Sequence, residues 1–246
     1  MMMQSLIKVS GLSYRYPRRG LVLDKVDFHL DVGERVALTG ANGAGKTTLL
    51  HLLVGLKKAK SGEIFAFGSI RKEEKSFVEV RAQAGFLFQD PDDQLFCPTV
   101  IEDVAFGPLN LGKSRAEALQ IASETLASLG MAGFEERITH QLSGGEKRMI
   151  TLAAVLAMEP EVLLLDEPSN ALDAKARQHL IDTLKTLPQA MIIISHDADF
   201  LAQLATREVR LEEAKLVAVS NKIKEVNESE STDISAEAFK TETVHA

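Results

Sequence analysis

A glycine-rich loop set between a strand and a helix constrains this chain more than any other feature. Val36-Ala37-Leu38 is a short apolar run that leads directly into Gly40-Ala41-Asn42-Gly43-Ala44-Gly45-Lys46-Thr47. Thr48 to Leu56 then reads as a helix closed near Gly55. The order strand, G-x4-G-K-T, helix belongs to loops that wrap phosphate groups. Glycines let backbone N–H groups approach the anion, and the following helix turns its positive end toward it. On this reading Lys46 places a charge on the β- and γ-phosphates, and Thr47 offers a hydroxyl to Mg²⁺.

A second glycine pair stands roughly a hundred residues later, in Leu142-Ser143-Gly144-Gly145-Glu146. It opens a helix with Met149, Leu152, Ala153 and Leu156 at helical spacing. Ser143 and Glu146 have the spacing of a capping box, and a capped helix start with two glycines is also open to a phosphate. One nucleotide needs one phosphate loop. The second cradle therefore suggests that a partner subunit's nucleotide is held as well.

Val162-Leu163-Leu164-Leu165 has no polar alternation and reads as a fully buried parallel strand. Met191 to Ile194 reads the same way, and a helix from Ala174 to about Leu187 joins the two into a βαβ unit. The first strand ends in Asp166-Glu167, where ligands bind in open α/β sheets. Asp166 can hold Mg²⁺ through water, and Glu167 can orient or deprotonate an attacking water. Gln89 ends another apolar strand, Ala84 to Phe88, and can touch Mg²⁺ or that water. His196 follows the second buried strand, within reach of a γ-phosphate. Tyr16, beside Pro17, offers a ring that stacks on adenine or packs in the fold. His29, His51, His140, His179 and His245 show no paired spacing and read as structural or surface residues.

The remaining segments organise around this core. Val26, Phe28, Leu30 and Val32 alternate as in a half-buried strand, turned at Gly33. From about 90 to 142 the chain reads as a helical insertion. A polar loop, Asp90-Pro91-Asp92-Asp93-Gln94, precedes a short helix from Thr99 to Gly107. A capping box at Ser114 opens a helix carrying Leu119, Ala122, Leu126 and Leu129, ended by Gly130. Residues 221–246 are charged, with few large apolar residues, and are expected to be weakly ordered. A net charge of -7 argues against a chain whose main surface binds nucleic acid. The single Cys97 excludes an intramolecular disulfide, fits a reducing compartment and reads as a small buried hydrophobe. Met1 to Lys8 does not resemble a leader peptide, and no apolar run approaches the ~20 residues that span a bilayer. The expectation is a protein soluble by itself, with any membrane role through a partner.

Taken in order, these motifs resemble the ATP-binding cassette ATPases over about residues 5–220. The resemblance implies an α/β fold: a P-loop NTPase core with an N-terminal antiparallel β subdomain and an inserted α-helical subdomain at about 90–158. It assigns ATP contacts to Tyr16, Gly40, Asn42, Gly43, Ala44, Gly45, Lys46, Thr47 and Thr48. Mg²⁺ falls to Thr47, Gln89 and Asp166, and catalysis to Glu167, His196 and Gln89. Family members pair head to tail, so Ser143, Gly144, Gly145 and Glu146 would close on the nucleotide of a second ATPase subunit, a homodimer being expected. Glu146 stands where Gln is commoner, and Asn170 where the D-loop (Ser169 to Asp173) usually carries a small residue.

Phe88 to Phe96, followed by Glu102-Asp103-Val104-Ala105-Phe106-Gly107-Pro108, is similar to the energy-coupling-factor importer ATPases. That group serves cobalt, nickel and vitamin importers. A chain shorter than many of the vitamin type, without their C-terminal extension, tilts the expectation toward cobalt or nickel. Integral membrane subunits would be the partners, with the chain peripheral on the cytoplasmic face of a prokaryotic cell membrane. Asp90, Asp92 and Asp93 would either dock basic coupling helices or form a solvated charge run. A nucleic-acid or ribosome ATPase is a competing reading, opposed by the charge and by a single cassette. A kinase or GTPase is another, and it leaves the second cradle unexplained.

Overall fold

The uninterrupted apolar run at residues 162–165 forms the inside of a six-stranded sheet. The computed structural model describes residues 5–219. Its first half runs β1 (Ser5–Tyr16), β2 (Gly20–Asp31), β3 (Arg35–Thr39), α1 (Lys46–Leu53), β4 (Ser61–Ala66), β5 (Ser69–Arg71), α2 (Phe77–Gln83) and β6 (Ala84–Leu87). There follow α3 (Val100–Asn110), α4 (Arg115–Ser128), α5 (Gly144–Leu156), β7 (Val162–Asp166) and α6 (Ala174–Thr186). The described chain closes with β8 (Ala190–Ile194), α7 (Ala198–Leu204), β9 (Arg207–Glu212) and β10 (Lys215–Val219). The charged segment 221–246 lies outside the described residues.

The larger sheet has the order β10-β9-β3-β8-β7-β6. All neighbours from β9 to β6 are parallel, and β10 closes the other edge antiparallel to β9. Every residue of β7 and β8 is buried. Their side chains divide between two cores. Leu163, Leu165, Met191 and Ile193 pack with helices α3 to α7. Val162, Leu164, Ile192 and Ile194 pack with α1 and the second sheet. A strand covered on both faces has no use for polar alternation, which explains its unbroken apolar sequence.

The second sheet, β2-β1-β4-β5, is antiparallel throughout. Val26, Phe28 and Leu30 point into its core as their alternation predicts. Val32 does not. It lies past the strand end and is 61% exposed, because the chain turns at Gly33 with φ 70°. Helix α1 begins two residues earlier and ends three residues earlier than its sequence suggests. It closes as the Leu56 N–H donates back to the His51 carbonyl at 2.8 Å, with Gly55 at φ 73°.

Helices α3, α4 and α5 form a helical layer between β6 and β7 in sequence. Ser114 and Ser143 both form the expected capping boxes, and Thr99 forms a third. Asp103, only 4% exposed, ties this layer together. Its carboxylate accepts from the Phe96 N–H at 3.0 Å, the Cys97 N–H at 2.9 Å and the Thr139 hydroxyl at 3.0 Å. Cys97 is half-buried rather than buried, and burial together with the Asp103 carboxylate pushes its thiol up to about 11. Such a thiol stays protonated and unreactive at neutral pH. Asp103→Ala leaves one buried and two half-buried donors without this acceptor. Stability is expected to fall by about 3 kcal/mol, read as a lower urea midpoint at unchanged slope.

Candidate nucleotide site

Strands β3, β8, β7 and β6 lie side by side, so the loops leaving their carboxyl ends are neighbours. They carry Gly40 to Thr47, His196, Asp166-Glu167 and Gln89. The loops and the β1–β2 turn line a cleft of about 710 Å³. Its walls hold Tyr16, Asn42, Gly43, Gly45, Lys46, Thr47 and Thr48, together with Gln89, Asp166, Glu167 and His196. Gly40 and Ala44 support the loop from behind. A Cβ on Gly40 (φ 134°) would strike the Leu211 carbonyl, and one on Gly45 (φ 119°) would strike Val22. Ala44 packs against the core beneath. The loop is thus pressed onto β9 and β2 so tightly that only glycine fits at two of its corners.

Lys46, 7% exposed, donates to the loop's own carbonyls, at 2.7 Å to Gly40 and 3.1 Å to Ala41. Burial lowers its pKa, while the Glu167 and Asp166 carboxylates pull it back up. Asp166 is 3% exposed. Burial raises its pKa against the opposing pull of the Thr47 hydroxyl hydrogen bond and of nearby cations. A hydroxyl and a buried carboxylate lining one cleft are hard oxygen donors of the kind that suit Mg²⁺.

Glu167 turns out of β7 with φ 48°, a left-handed conformation that costs a non-glycine residue about 1 kcal/mol or more. The turn brings its carboxylate against the next strand's loop. The His196 backbone N–H reaches it at 3.2 Å, and the imidazole Nε2 lies 3.2 Å from its other oxygen. His196 therefore holds Glu167 in place, in addition to facing the cleft. The Tyr16 hydroxyl lies 3.1 Å from that of Thr48, and its ring meets Tyr14 edge-on at 5.0 Å. Stacking on a base and packing in the fold are both served by that position. Gln89 is exposed, and its main chain is held from below by Arg148.

Some wall residues escape the motif reading. His51, expected to be structural or at the surface, lines the cleft. It stands one helical turn after Thr47, so the i, i+4 spacing carries the signal. Burial and Lys57 push its pKa down, keeping the ring neutral at pH 7. Arg19, in the β1–β2 turn, donates to the Gly43 carbonyl at 2.6 Å. Nothing in its local sequence predicts that contact.

Among the described residues of the cleft walls, none comes from 142–146. Ser143 caps its own helix instead. Its hydroxyl donates to Glu146 at 2.8 Å and accepts the Glu146 N–H at 3.3 Å, and Arg137 holds Glu146 at 3.1 Å. Gly144 faces open space, whereas a Cβ on Gly145 would come within 2.7 Å of Ala176 on α6. The two cradles do not meet within one chain.

A parallel sheet with this glycine loop and these strand-end carboxylates defines a phosphate-loop nucleotide-binding protein. A family model described as ABC transporter matches residues 23–170. A provisionally named ABC transporter ATP-binding protein of Brucella suis is 54% identical over 215 residues, 87% of this chain and 89% of that one. The energy-coupling factor transporter ATP-binding protein EcfA of Methanothermobacter thermautotrophicus is 41% identical over 217 residues, 87% of this chain and 70% of that one. The structure of cbiO1 from Clostridium perfringens, part of the ABC transporter complex cbiONQ, superposes with a TM-score of 0.80 at 31% identity, covering 96% of each chain. The chain belongs to the ABC transporter family: it is an ATPase that couples ATP hydrolysis to transport. Among the described residues no helix is long and apolar enough to cross a membrane.

The Asp166 shift has a testable sign. A carboxyl whose folded pKa lies above its unfolded value costs stability as pH rises from the unfolded pKa through the folded one. Ionised Asp166 therefore subtracts from stability at pH 7. Asp166→Asn is expected to raise the melting temperature of the nucleotide-free protein at pH 7. It should also remove the extra stabilisation that Mg²⁺ adds to ATP. A variant that melts lower without nucleotide contradicts the burial argument.

Proposed function

We propose that this chain is the ATP-hydrolysing subunit of an energy-coupling-factor importer that takes up cobalt or nickel. Residues 1–220 would form the ATPase unit, with 90–158 as its helical insert and 221–246 as a tail. The observation that carries the motor reading is the separation of the two cradles. Lys46, Asp166, Glu167 and His196 share one cleft, while Ser143 and Gly144 stand outside it, capped and uncovered. Two chains related by a two-fold axis would complete each cleft with the Ser143 of the partner subunit. The 41% identity to EcfA supports the energy-coupling-factor assignment.

In that arrangement Lys46 and the loop amides bind the phosphates, and Tyr16 offers its ring to the base. Thr47, Asp166 and Gln89 would hold Mg²⁺, which neutralises phosphate charge when bound. Glu167 orients or deprotonates the attacking water, and the two contacts from His196 keep its carboxylate aimed.

A dock for the membrane subunits lies beside the acidic loop. Phe96, just beyond Asp93, meets Phe106 of α3 edge-on at 4.7 Å, the two being 64% and 42% exposed. An apolar pair beside carboxylates suits a basic amphipathic helix. Asp92 contributes less charge there than its sequence suggests, because Lys147 pairs with it at 2.6 Å.

Glu167→Gln is expected to lower ATP turnover on the order of 10²–10⁴-fold. It should also trap a dimer that forms only with Mg-ATP, seen by size-exclusion chromatography. A variant that stays monomeric at saturating Mg-ATP, or that supports normal uptake in vesicles carrying its membrane subunits, overturns the motor reading. The same vesicles offered cobalt, nickel or a vitamin decide the substrate. Vitamin uptake without metal uptake would replace the metal assignment with the vitamin-importer alternative.

A further inference from the structure

Among the described residues Arg148 is the largest side chain to be buried completely, at 1% exposure. It sits in the second turn of α5, the helix that Ser143 caps. Burial pushes its pKa down to about 10, so it remains a cation at neutral pH. A buried cation ordinarily faces a carboxylate. Here the guanidinium instead donates to two consecutive main-chain carbonyls, at 2.7 Å to Phe88 and 2.6 Å to Gln89. Asp90 and Asp166 act on it only at longer range, and its Nε is buried without a partner. Lys147, the preceding residue, pairs with Asp92 in the same loop. Two neighbouring cations of one helix thus grip the loop that carries Gln89 into the cleft.

This arrangement is costly for stability alone. An apolar side chain of similar volume would fill the space without desolvating a charge. It does hold Gln89 at a fixed distance from the start of α5. We propose that Arg148 is the positioning residue for Gln89, locking the cleft amide and the Ser143 cradle into one unit so that neither moves without the other. The inference rests on the ATPase reading above and adds a residue that motif reading leaves out.

The test compares Arg148→Met, Arg148→Lys, Gln89→Ala and the Gln89→Ala/Arg148→Met double variant in the purified chain. Turnover, KM for ATP and melting temperature are measured for each. Arg148→Met is expected to lower kcat about 10- to 100-fold with KM changed less than about twofold, as for a displaced catalytic group. Arg148→Lys should restore part of that loss. In the Gln89→Ala background, Arg148→Met should cost little more, because both changes remove the same positioning. Unchanged kcat with a lowered melting temperature would make Arg148 merely structural. Fully additive losses would show that it acts independently of Gln89. If Arg148→Met does not fold, Arg148→Lys combined with Gln89→Ala reads the same non-additivity. Either failure leaves the ATPase reading intact so long as Glu167→Gln still lowers turnover on the order of 10²–10⁴-fold.

Discussion

The side-by-side placing of β3, β8, β7 and β6 is the constraint on which the rest depends. Parallel strands all end at one edge, so whatever follows each strand arrives in the same place. Here that edge receives a glycine loop, a pair of carboxylates, a histidine and a glutamine from segments up to about 150 residues apart. The sheet can hold them because its inner strands are covered on both faces. Helices α3 to α7 seal one side, and α1 with the antiparallel sheet seals the other. Burial of the strands as a continuous apolar layer supplies the rigidity that a precise edge requires.

Charge is concentrated where that layer meets the cleft. Lys46, Asp166 and Arg148 are each nearly or wholly withdrawn from water. Loop carbonyls hold Lys46, the carbonyls of Phe88 and Gln89 hold Arg148, and Asp166 lies in the same cleft as the Thr47 hydroxyl. Isolated, any of them would destabilise the fold. Together they create a site whose electrostatics are arranged before the nucleotide arrives, with Glu167 held in a left-handed turn beside His196. The burden of desolvation and backbone strain falls at one edge, and the broad apolar core offsets it.

Much of this edge is visible in the chain itself. Val162 to Leu165 announces a two-sided strand because no polar residue interrupts it, and Asp166-Glu167 then marks its end. The spacing from Gly40 to Thr47 defines the phosphate loop, and Ser143 with Glu146 defines a capped helix start. Local rules cover these features because each depends on residues close in sequence. The same rules mislead at Val32, where alternation continues past the strand into a turn, and they pass over His51, which lines the cleft because it stands one helical turn after Thr47. The β9–β10 hairpin and the β4–β5 pair carry weak patterns because their strands are short and half-exposed.

Residues close together in the chain specify the glycine loop after β3, the carboxylate pair that ends β7, the capped glycine pair at Ser143 and the membership of an ATP-binding family. These are short-range patterns in which chemistry dictates residue type at fixed spacing. Tertiary structure alone decided that the cradles stay apart within one chain, that His196 grips Glu167, and that Arg148 clamps the main chain at Gln89. Each of those facts joins side chains from different elements across a packed interface. No spacing rule encodes such a contact, because it is set by strand order and by how closely helices settle against the sheet.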